Sequence, residues 1–526
     1  MKNLINIGLF FFITAVTSSC SKNLLETIPN DRISSEIFWK TDHDAQLAAN
    51  AVYTFLDDVP TYFSWDGMSD IGHTNIPFNV YAIIELGQHD ALNQVIFDFW
   101  TNSYAGIRSA NTFLQNVDRV ETVNPQGIAI LKGEVSVLRA YYYMRLAALY
   151  GDIPLVTTEI TLEESRNLTR TPVAEVWDFV SAQLDEAAQV LPTTQDETGR
   201  ITKGAALALK ARAMLWAGRY ADAATAAKQV IDLGVYSIYP SYEKLFTYEA
   251  ENNSEVIFDK QFVKDVYRNN IFGYMAPYSQ KSSNSHFVPL KKLVDAYQMK
   301  NGKEISDPSS GFDRKNPYEN RDPRLRYSMY VLGDVLPDGQ VYDPRPGSNT
   351  SDAVDFTYLS TSTGFNLKKY INKDDFVQPG NGGVNLILVR YPEVLLTYAE
   401  AKIEMDEMDQ SVVDAINAIR ERPDVDMPLL ISIGSQSEMR AIVRHERMVE
   451  LAFEGLRYFD IRRWKIAESV IPGKIYGMTY EDDNGNLKTI DIQSFDKSFE
   501  ANRDYLWPIP QKERELNPNL TKNPNW

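Results

Sequence analysis

Three glutamates spaced four residues apart form the densest group of chemically capable side chains in this sequence. Glu446, Glu450 and Glu454 lie in the stretch RHERMVELAFEGLRYFDIRRW, residues 444–464. This spacing places side chains on one face of a helix. Paired carboxylates can serve as general acid and base, so one hypothesis is a catalytic cluster. We favour an ion-pair network, because neighbouring arginines hold carboxylates ionised; its expected donors are Arg444, Arg447, Arg457, Arg462 and Arg463.

Other catalytic and metal-binding patterns are absent from the sequence. The histidines lack the H-E-x-x-H spacing, and one cysteine cannot complete a zinc set. There is no G-x-S-x-G elbow, no P-loop and no G-x-G-x-x-G motif. The acidic segment 482–486 (DDNGN) predicts a hairpin turn rather than a calcium loop. We therefore expect no cofactor, no metal and no enzymatic activity. A glycosidase pair of carboxylates stays an alternative, because its two acids can lie far apart in the chain.

The single cysteine, Cys20, follows a segment with the layout of an export signal. Lys2 precedes an apolar run at residues 4–16 and small residues at 17–19. The run is too short for a comfortable membrane span. The pattern resembles a bacterial lipoprotein signal, in which the cysteine after the cut is acylated; a simple secretory signal is the alternative. We expect a signal peptide at residues 1–19 and a lipidated tether at residues 20–32.

An aromatic stretch without helical spacing, residues 57–89, is the first candidate for ligand contact. Long loops often carry function, and aromatic rings stack on sugar faces beside polar groups that bond the hydroxyls. A loop that Trp65 packs into the core, or that contacts a partner protein, is the competing interpretation. The candidate ligand-binding residues here are Tyr62, Trp65, Asp66 and Asn75. A second candidate segment, residues 274–286, contributes Tyr278 and Asn284.

Helical patterns surround these candidates and predict a mainly α fold. Residues 204–233 and 391–420 each read as two helices joined by a short turn, which Gly218 supplies in the first pair. The pattern is similar to tetratricopeptide repeats, which serve packing and binding. Residues 236–385 are loop-rich, with short β-strands predicted at 256–262 and 326–332.

Composition limits the possible partners. Acids number 71 against 53 Lys and Arg, which gives 526 residues a net charge of −18. That charge repels a phosphate backbone, so we expect no nucleic-acid partner. Hydrophobic residues at 44% and charged residues at 24% are ordinary globular values.

An ordered series of short motifs resembles the SusD/RagB family of Bacteroidota over essentially the whole mature chain. These motifs come in addition to Cys20, the helical hairpins at residues 204–233 and 391–420, and the stretch of glutamates and arginines at residues 444–464. The motifs include FWKT at 38–41, the helix at 134–156, GRITKGAA at 199–206, NRDPR at 320–324, the stretch 446–464 and LWPIP at 506–510.

The resemblance implies a SusD-like fold, with residues 33–240 and 241–526 packed as one globule. It also implies an outer-membrane lipoprotein that captures a nutrient, usually a glycan, without cleaving it. The implied partner is a TonB-dependent outer-membrane barrel of the SusC type. The alternatives are a secreted glycosidase on a helical scaffold and a helical-repeat assembly protein without a small ligand.

Overall fold

Helices dominate the first half of the chain. The computed structural model describes residues 38–526 except Pro77, so Cys20, the signal peptide and the tether lie outside the described residues. The elements are α1 Asp42–Tyr53, α2 Val59–Gly67, β1 Gly72–Thr74, α3 Ala82–Glu85, α4 Gln94–Asn116, α5 Pro125–Tyr150, α6 Leu162–Ser165, α7 Val173–Val190, α8 Lys203–Trp216 and α9 Tyr220–Asp232. Polar caps start several of them, such as the reciprocal Thr41–Asp44 capping box of α1.

The second half alternates short strands with helices. Its elements are β2 Val256–Lys260, α10 Ile271–Met275, β3 Phe287–Pro289, α11 Lys291–Ala296, α12 Arg324–Ser328, β4 Met329–Tyr330, β5 Asn366–Leu367, β6 Leu386–Arg390, α13 Tyr391–Glu404, α14 Gln410–Arg420, α15 Gln436–Glu450, α16 Arg457–Arg463, α17 Ala467–Val470, β7 Gly473–Glu481, β8 Leu487–Lys497 and α18 Gln511–Leu516. The strands form antiparallel pairs: β1 with β3, β2 with β6, β4 with β5, and β7 with β8.

The helical hairpins predicted from the sequence are present, and they confirm the mainly α fold. Helices α8 and α9 are joined through Gly218, whose φ of +73° favours glycine. Helices α13 and α14 form the second pair, and α14 begins at the cap Asp409, which accepts from the Ser411 N–H at 3.0 Å. Helices α5, α7, α8, α9, α13 and α15 pack one against the next. Their apolar faces belong to one core cluster that extends from Trp39 to Leu520.

The strand predicted at residues 326–332 is only partly present. Residues 324–328 form the helical turn α12, and only Met329 and Tyr330 pair as a strand. The Asp322 carboxylate accepts from the Arg324 N–H at 3.0 Å, which favours a turn at this position. The hairpin predicted around Gly485 is present between β7 and β8.

The prediction of an irregular loop at residues 57–89 is wrong, because this segment contains helix α2. Asp58 caps the helix by accepting from the Thr61 N–H at 2.9 Å, and Pro60 occupies its first turn. Seven of the nine residues in α2 are buried. A helix enclosed on nearly all sides has no one-sided apolar pattern, so its sequence lacks the usual signal.

Trp65 is therefore a core residue rather than an exposed aromatic platform. Its side chain is 2% exposed and stacks on Trp507, with ring centroids 5.6 Å apart. Phe459 packs on it at 5.0 Å, and the Arg145 guanidinium lies 5.2 Å from its ring. This arrangement matches the competing interpretation, in which Trp65 fixes the segment in the core.

A buried cluster of five carboxylates and five cations, here called the hub, joins the end of α15 to distant segments. Glu450 accepts from Arg390 at 2.6 Å, and from Arg422 and Arg324 at 2.9 Å. The remaining contacts are Glu446 with Arg324 and Arg420, Glu454 with Arg390 and Lys369, Glu255 with Arg390 and Arg422, and Asp322 with Arg324. The predicted ion-pair network thus exists, but with other donors.

Two details of the prediction for this helix are wrong. Helix α15 ends at Glu450, and Phe453 takes a φ of +58°, so Glu454 does not share the helix face. The arginines named from the sequence point elsewhere, because flanking positions on a helix face other directions. Their partners are as follows: Arg444 pairs with Glu404, Arg447 with Asp460, Arg457 with Asp70, Arg462 with the Asp504 carbonyl, and Arg463 with Glu400.

Removal of Glu450 should destabilise the fold, because Arg390, Arg422 and Arg324 would lose a shared partner while they remain buried. We expect Glu450→Ala to lower the free energy of unfolding by about 3–5 kcal/mol. Thermal unfolding measures the loss, and Glu407→Ala, an exposed acid beyond α13, is the control. Equal melting of the two variants would contradict a structural role for the hub.

A comparison of wild type with Glu450→Ala tests the pH dependence of this stabilisation. Burial opposes ionisation of Glu450, yet Arg390, Arg422 and Arg324 hold its pKa well below the ordinary 4.5. A lowered folded-state pKa contributes stability that is present above pH 4.5 and is lost as the pH falls below it. The difference in Tm between wild type and Glu450→Ala should therefore shrink in acid.

Truncation of Trp65 should also act on stability. Trp65→Ala leaves a cavity beside Trp507 and Phe459, and we expect a loss of about 3–5 kcal/mol. Phe78→Ala removes an aromatic ring that is 95% exposed and should change stability by less than about 0.5 kcal/mol. Denaturant unfolding of both variants measures the contrast; an unchanged midpoint for Trp65→Ala would refute its place in the core.

Candidate functional site

The other residues predicted from segment 57–89 are buried like Trp65. Tyr62 donates to the Ile387 carbonyl at 2.8 Å. Asp66 accepts from the backbone N–H groups of Gly455 and Arg457 at 3.0 and 2.9 Å, and burial raises the pKa of Asp66 to about 7. These contacts tie α2 to the start of α16. The expectation of an exposed ligand-binding group in this segment is therefore wrong.

Asn75 joins three segments of the chain. Its side-chain amide donates to the Ser360 carbonyl at 2.8 Å and accepts from the Ser362 N–H at 2.7 Å. Its backbone N–H donates to the His286 carbonyl at 3.0 Å. Asn75 is buried, so it positions the segments around residues 286 and 360 rather than facing a ligand. The first segment leads to the half-buried ring of Tyr278 and the second to the exposed rings of Phe356 and Tyr358.

Those rings form a group here called the aromatic surface: Tyr278, Phe356 and Tyr358. Tyr278 is half-buried, and its ring lies 5.9 Å from that of Phe356 at an interplanar angle of 48°. Phe356 and Tyr358 are 57% and 65% exposed. Large aromatic side chains that remain this exposed are candidates for binding, because stacking covers apolar area that water otherwise surrounds.

Polar contacts underneath hold the two loops of the aromatic surface together. The Ser279 N–H donates to the Asp352 carboxylate at 2.8 Å. The Asn366 side chain donates to the Ser285 hydroxyl at 2.8 Å. Since Asn75 adds its bonds to Ser360 and Ser362, the loops are fixed before any ligand arrives. Such preorganisation reduces the entropy lost on binding.

The loop that carries Tyr278 has unusual backbone geometry. Lys281, Ser282 and Ser285 have φ values of 60°, 57° and 43°, a region that residues other than glycine rarely adopt. Conformations of this kind persist only where the surroundings impose them, and they concentrate at binding and switch sites. The geometry turns the loop sharply between Tyr278 and β3.

Asn284, the other residue predicted from this segment, is half-exposed. Its backbone N–H donates to the Gly273 carbonyl at 3.0 Å, and its side chain makes no hydrogen bond to any described residue. An amide can both donate to and accept from sugar hydroxyls. The segment thus offers a ring for stacking and an amide for hydrogen bonding, while its direct contact with a ligand stays a prediction.

Sequence reasoning missed Phe356 and Tyr358. They lie in the run DFTYLS, inside a long segment rich in proline, glycine and serine. Two alternating aromatics in such a segment could have signalled an exposed surface, because nothing there predicts a core element. Within residues 38–526 the structure contains no cluster of His, Cys, Asp or Glu able to hold a metal ion. No helix of that part of the chain has the length and apolar character for crossing a membrane.

Known proteins resemble both halves of the chain. A family model described as "SusD family" matches residues 254–526, and one described as "Starch-binding associating with outer membrane" matches residues 42–215. A SusD-like protein from Formosa agariphila is 27% identical over 539 residues, which cover 98% of each protein. The similarity is thus spread over the chain rather than confined to one motif.

Solved structures share the fold. A SusD-like carbohydrate binding protein from Bacteroides fragilis superposes with a TM-score of 0.84 and 29% identity, covering 92% of this chain and 100% of its own. A laminarin binding SusD-like protein gives a TM-score of 0.72 at 20% identity, covering 93% and 100%. Because the first family model spans more than half of the sequence, the chain belongs to the SusD family.

Proposed function

We propose that this protein captures a glycan on the aromatic surface and holds it without cleaving it. The observation that carries the proposal is the contact of half-buried Tyr278, on the strained loop, with exposed Phe356, on a second loop that is hydrogen-bonded to the first. Sugar rings have apolar faces that stack on aromatic rings, and an amide such as that of Asn284, on the loop that carries Tyr278, can bond their hydroxyls. The rings of Tyr278, Phe356 and Tyr358 carry no charge, so the ligand chemistry that they favour is a neutral oligosaccharide.

The relatives support a glycan as the class of ligand. One matching family model is described as starch-binding, the Bacteroides fragilis structure as carbohydrate binding, and a third relative as laminarin binding. These descriptions apply to those proteins and do not name the sugar here. Starch and laminarin oligosaccharides are therefore the first probes for this chain.

The state of the glutamate cluster favours binding over hydrolysis. Glu446 and Glu450 are fully enclosed and paired with arginines, which lower the pKa of both despite their burial. A glycosidase acid needs access to the substrate and a raised pKa. These glutamates therefore hold the fold together, and a secreted glycosidase remains the alternative that turnover would reveal.

We place the protein at the outer membrane, anchored through acylated Cys20 and working with a TonB-dependent barrel. The support is the lipoprotein-like signal at residues 1–19, the tether at 20–32 and a matching family described as associating with the outer membrane. The globule, residues 33–240 and 241–526, would then receive the glycan and pass it to the barrel for import.

Truncation of the aromatic surface should weaken glycan binding and leave folding intact. We expect Tyr278→Ala and Phe356→Ala each to cost about 2–4 kcal/mol of binding free energy, because a central aromatic anchor is lost. Calorimetric titration with starch and laminarin oligosaccharides measures the loss. Tyr476→Ala, which truncates a half-exposed ring on β7, is the matched control.

Two outcomes of that experiment would count against the proposal. One is binding that Tyr278→Ala and Phe356→Ala leave unchanged while wild type binds, which would move the glycan site elsewhere. The other is shortened oligosaccharide after incubation with wild type, detected by chromatography, which would favour the glycosidase. Normal melting curves for both variants are required for the first conclusion.

Anchoring through Cys20 predicts a change in fractionation. Two or more acyl chains give stable membrane attachment, whereas an unacylated chain has none. Cys20→Ala should therefore move the protein from the membrane fraction to the soluble fraction. The comparison belongs in cells that lack the barrel partner, so that barrel contacts do not retain the protein; Ser19→Ala is a neighbouring control. Retention of Cys20→Ala in the membrane there would exclude lipid anchoring.

A further inference from the structure

A cleft separate from the aromatic surface lies between helix α4, residues 154–168 and helix α18. Its volume is about 550 Å³, within the range of small-molecule sites, about 300–1,000 Å³. Its lining contains no residue of the aromatic surface. The proposed capture of a glycan therefore leaves this cavity without a role.

The walls of the cleft are fastened to each other. The Tyr104 hydroxyl donates to the Pro154 carbonyl at 2.8 Å, and the Asn111 amide donates to the Val156 carbonyl at 2.8 Å. On the other side, the Asn517 amide donates to the Leu168 carbonyl at 2.8 Å. These bonds fix the spacing of all three walls, so a ligand would enter a preformed space.

The interior of the cleft is apolar and aromatic. Trp100 and Tyr104 lie on consecutive turns of α4 with their ring centroids 4.9 Å apart, and Ile107 continues the same wall. Aromatic faces attract organic cations, most strongly where water is excluded. The apolar wall would hold the body of a ligand, and the rings would favour a positive charge on it.

Two carboxyl groups line the cleft, Glu159 and Glu513, and neither forms an ion pair with a described residue. Glu159 accepts a hydrogen bond from the Thr112 hydroxyl at 2.6 Å. The side chain of Glu513 has no hydrogen-bond partner among the described residues, and partial burial raises its pKa. Glu513 and Tyr104 line the same cleft, so one ligand can contact both side chains. Two cations line the cleft, Arg108 and Arg166, but both are exposed to solvent and screened by it.

We propose that this cleft binds an organic ammonium group carried on an apolar body, with the nitrogen between the Tyr104 ring and the Glu513 carboxylate. The body would lie against Trp100 and Ile107. The partly desolvated negative charge favours a cation over an anion or a neutral ligand of the same shape, because the cation gives the Glu513 carboxylate the ion-pair partner that it lacks among the described residues. The excess of acids over bases in the whole chain acts in the same direction.

Three probes of similar shape and different charge test the proposal on the purified protein. They are phenethylammonium, 2-phenylethanol and 3-phenylpropanoate, titrated by calorimetry at pH 8 and low salt, where carboxylates are ionised. We expect saturable binding of one phenethylammonium per chain, weaker binding of the alcohol and the weakest binding of the carboxylate. Glu513→Gln should reduce phenethylammonium affinity about tenfold or more and leave the alcohol unaffected. Its melting temperature should not fall, because an uncompensated charge is removed.

Matched variants assign the effect to the cleft. Glu515→Gln changes an exposed acid two residues further along α18 and should leave all three affinities unchanged. Arg108→Gln should leave phenethylammonium binding unchanged or strengthen it. The proposal is overturned by tighter binding of phenylpropanoate that Arg108→Gln abolishes, by equal binding of ammonium and alcohol, or by no saturable binding of phenethylammonium. Glycan titrations run alongside keep this result separate from the aromatic surface.

Discussion

The buried pairing of Glu450 with Arg390 is the constraint on which the rest of the structure depends. Arg390 ends β6 and immediately precedes α13, so its position fixes both the strand pairing with β2 and the second helical hairpin. Removing two charges from water is costly, and the hub offsets that cost by giving nearly every member more than one partner. Its five carboxylates and five cations balance, so it adds no net charge to the core.

A continuous series of contacts leads from the hub to the aromatic surface. Glu454 belongs to the hub, and the next residue, Gly455, donates its N–H to Asp66 of α2. Helix α2 leads into β1, and Asn75 follows β1 and holds the segments around His286 and Ser360. The exposed rings therefore rest on loops whose position is set by buried polar groups. This arrangement lets loops of irregular sequence present a defined surface.

The sequence was informative where its signals were local. Helical spacing, Gly218 and the Asn-Gly turn predicted the hairpins and the β7–β8 turn, and the glutamates predicted an ion-pair network. The donors to that network could not be predicted from the sequence, because Arg390 and Arg324 come from segments that sequence spacing does not relate to α15. Trp65 was misplaced because α2 is buried on nearly all sides and shows no helical period. Tyr278 as a ligand-contact residue stays a prediction, and its partner Phe356 was missed because it lies in a separate loop.

The packing of Trp65 on Trp507 sets the order in which this chain can fold. Trp507, whose ring covers Trp65, lies more than four hundred residues further along the chain. Asp66 likewise bonds a residue far along the chain, Gly455. Contacts of such long sequence separation form slowly, because the loop between them must first be closed. The N-terminal helices therefore cannot complete their core during synthesis. Until the C-terminal segment is present, the face of Trp65 that packs on Trp507 stays uncovered.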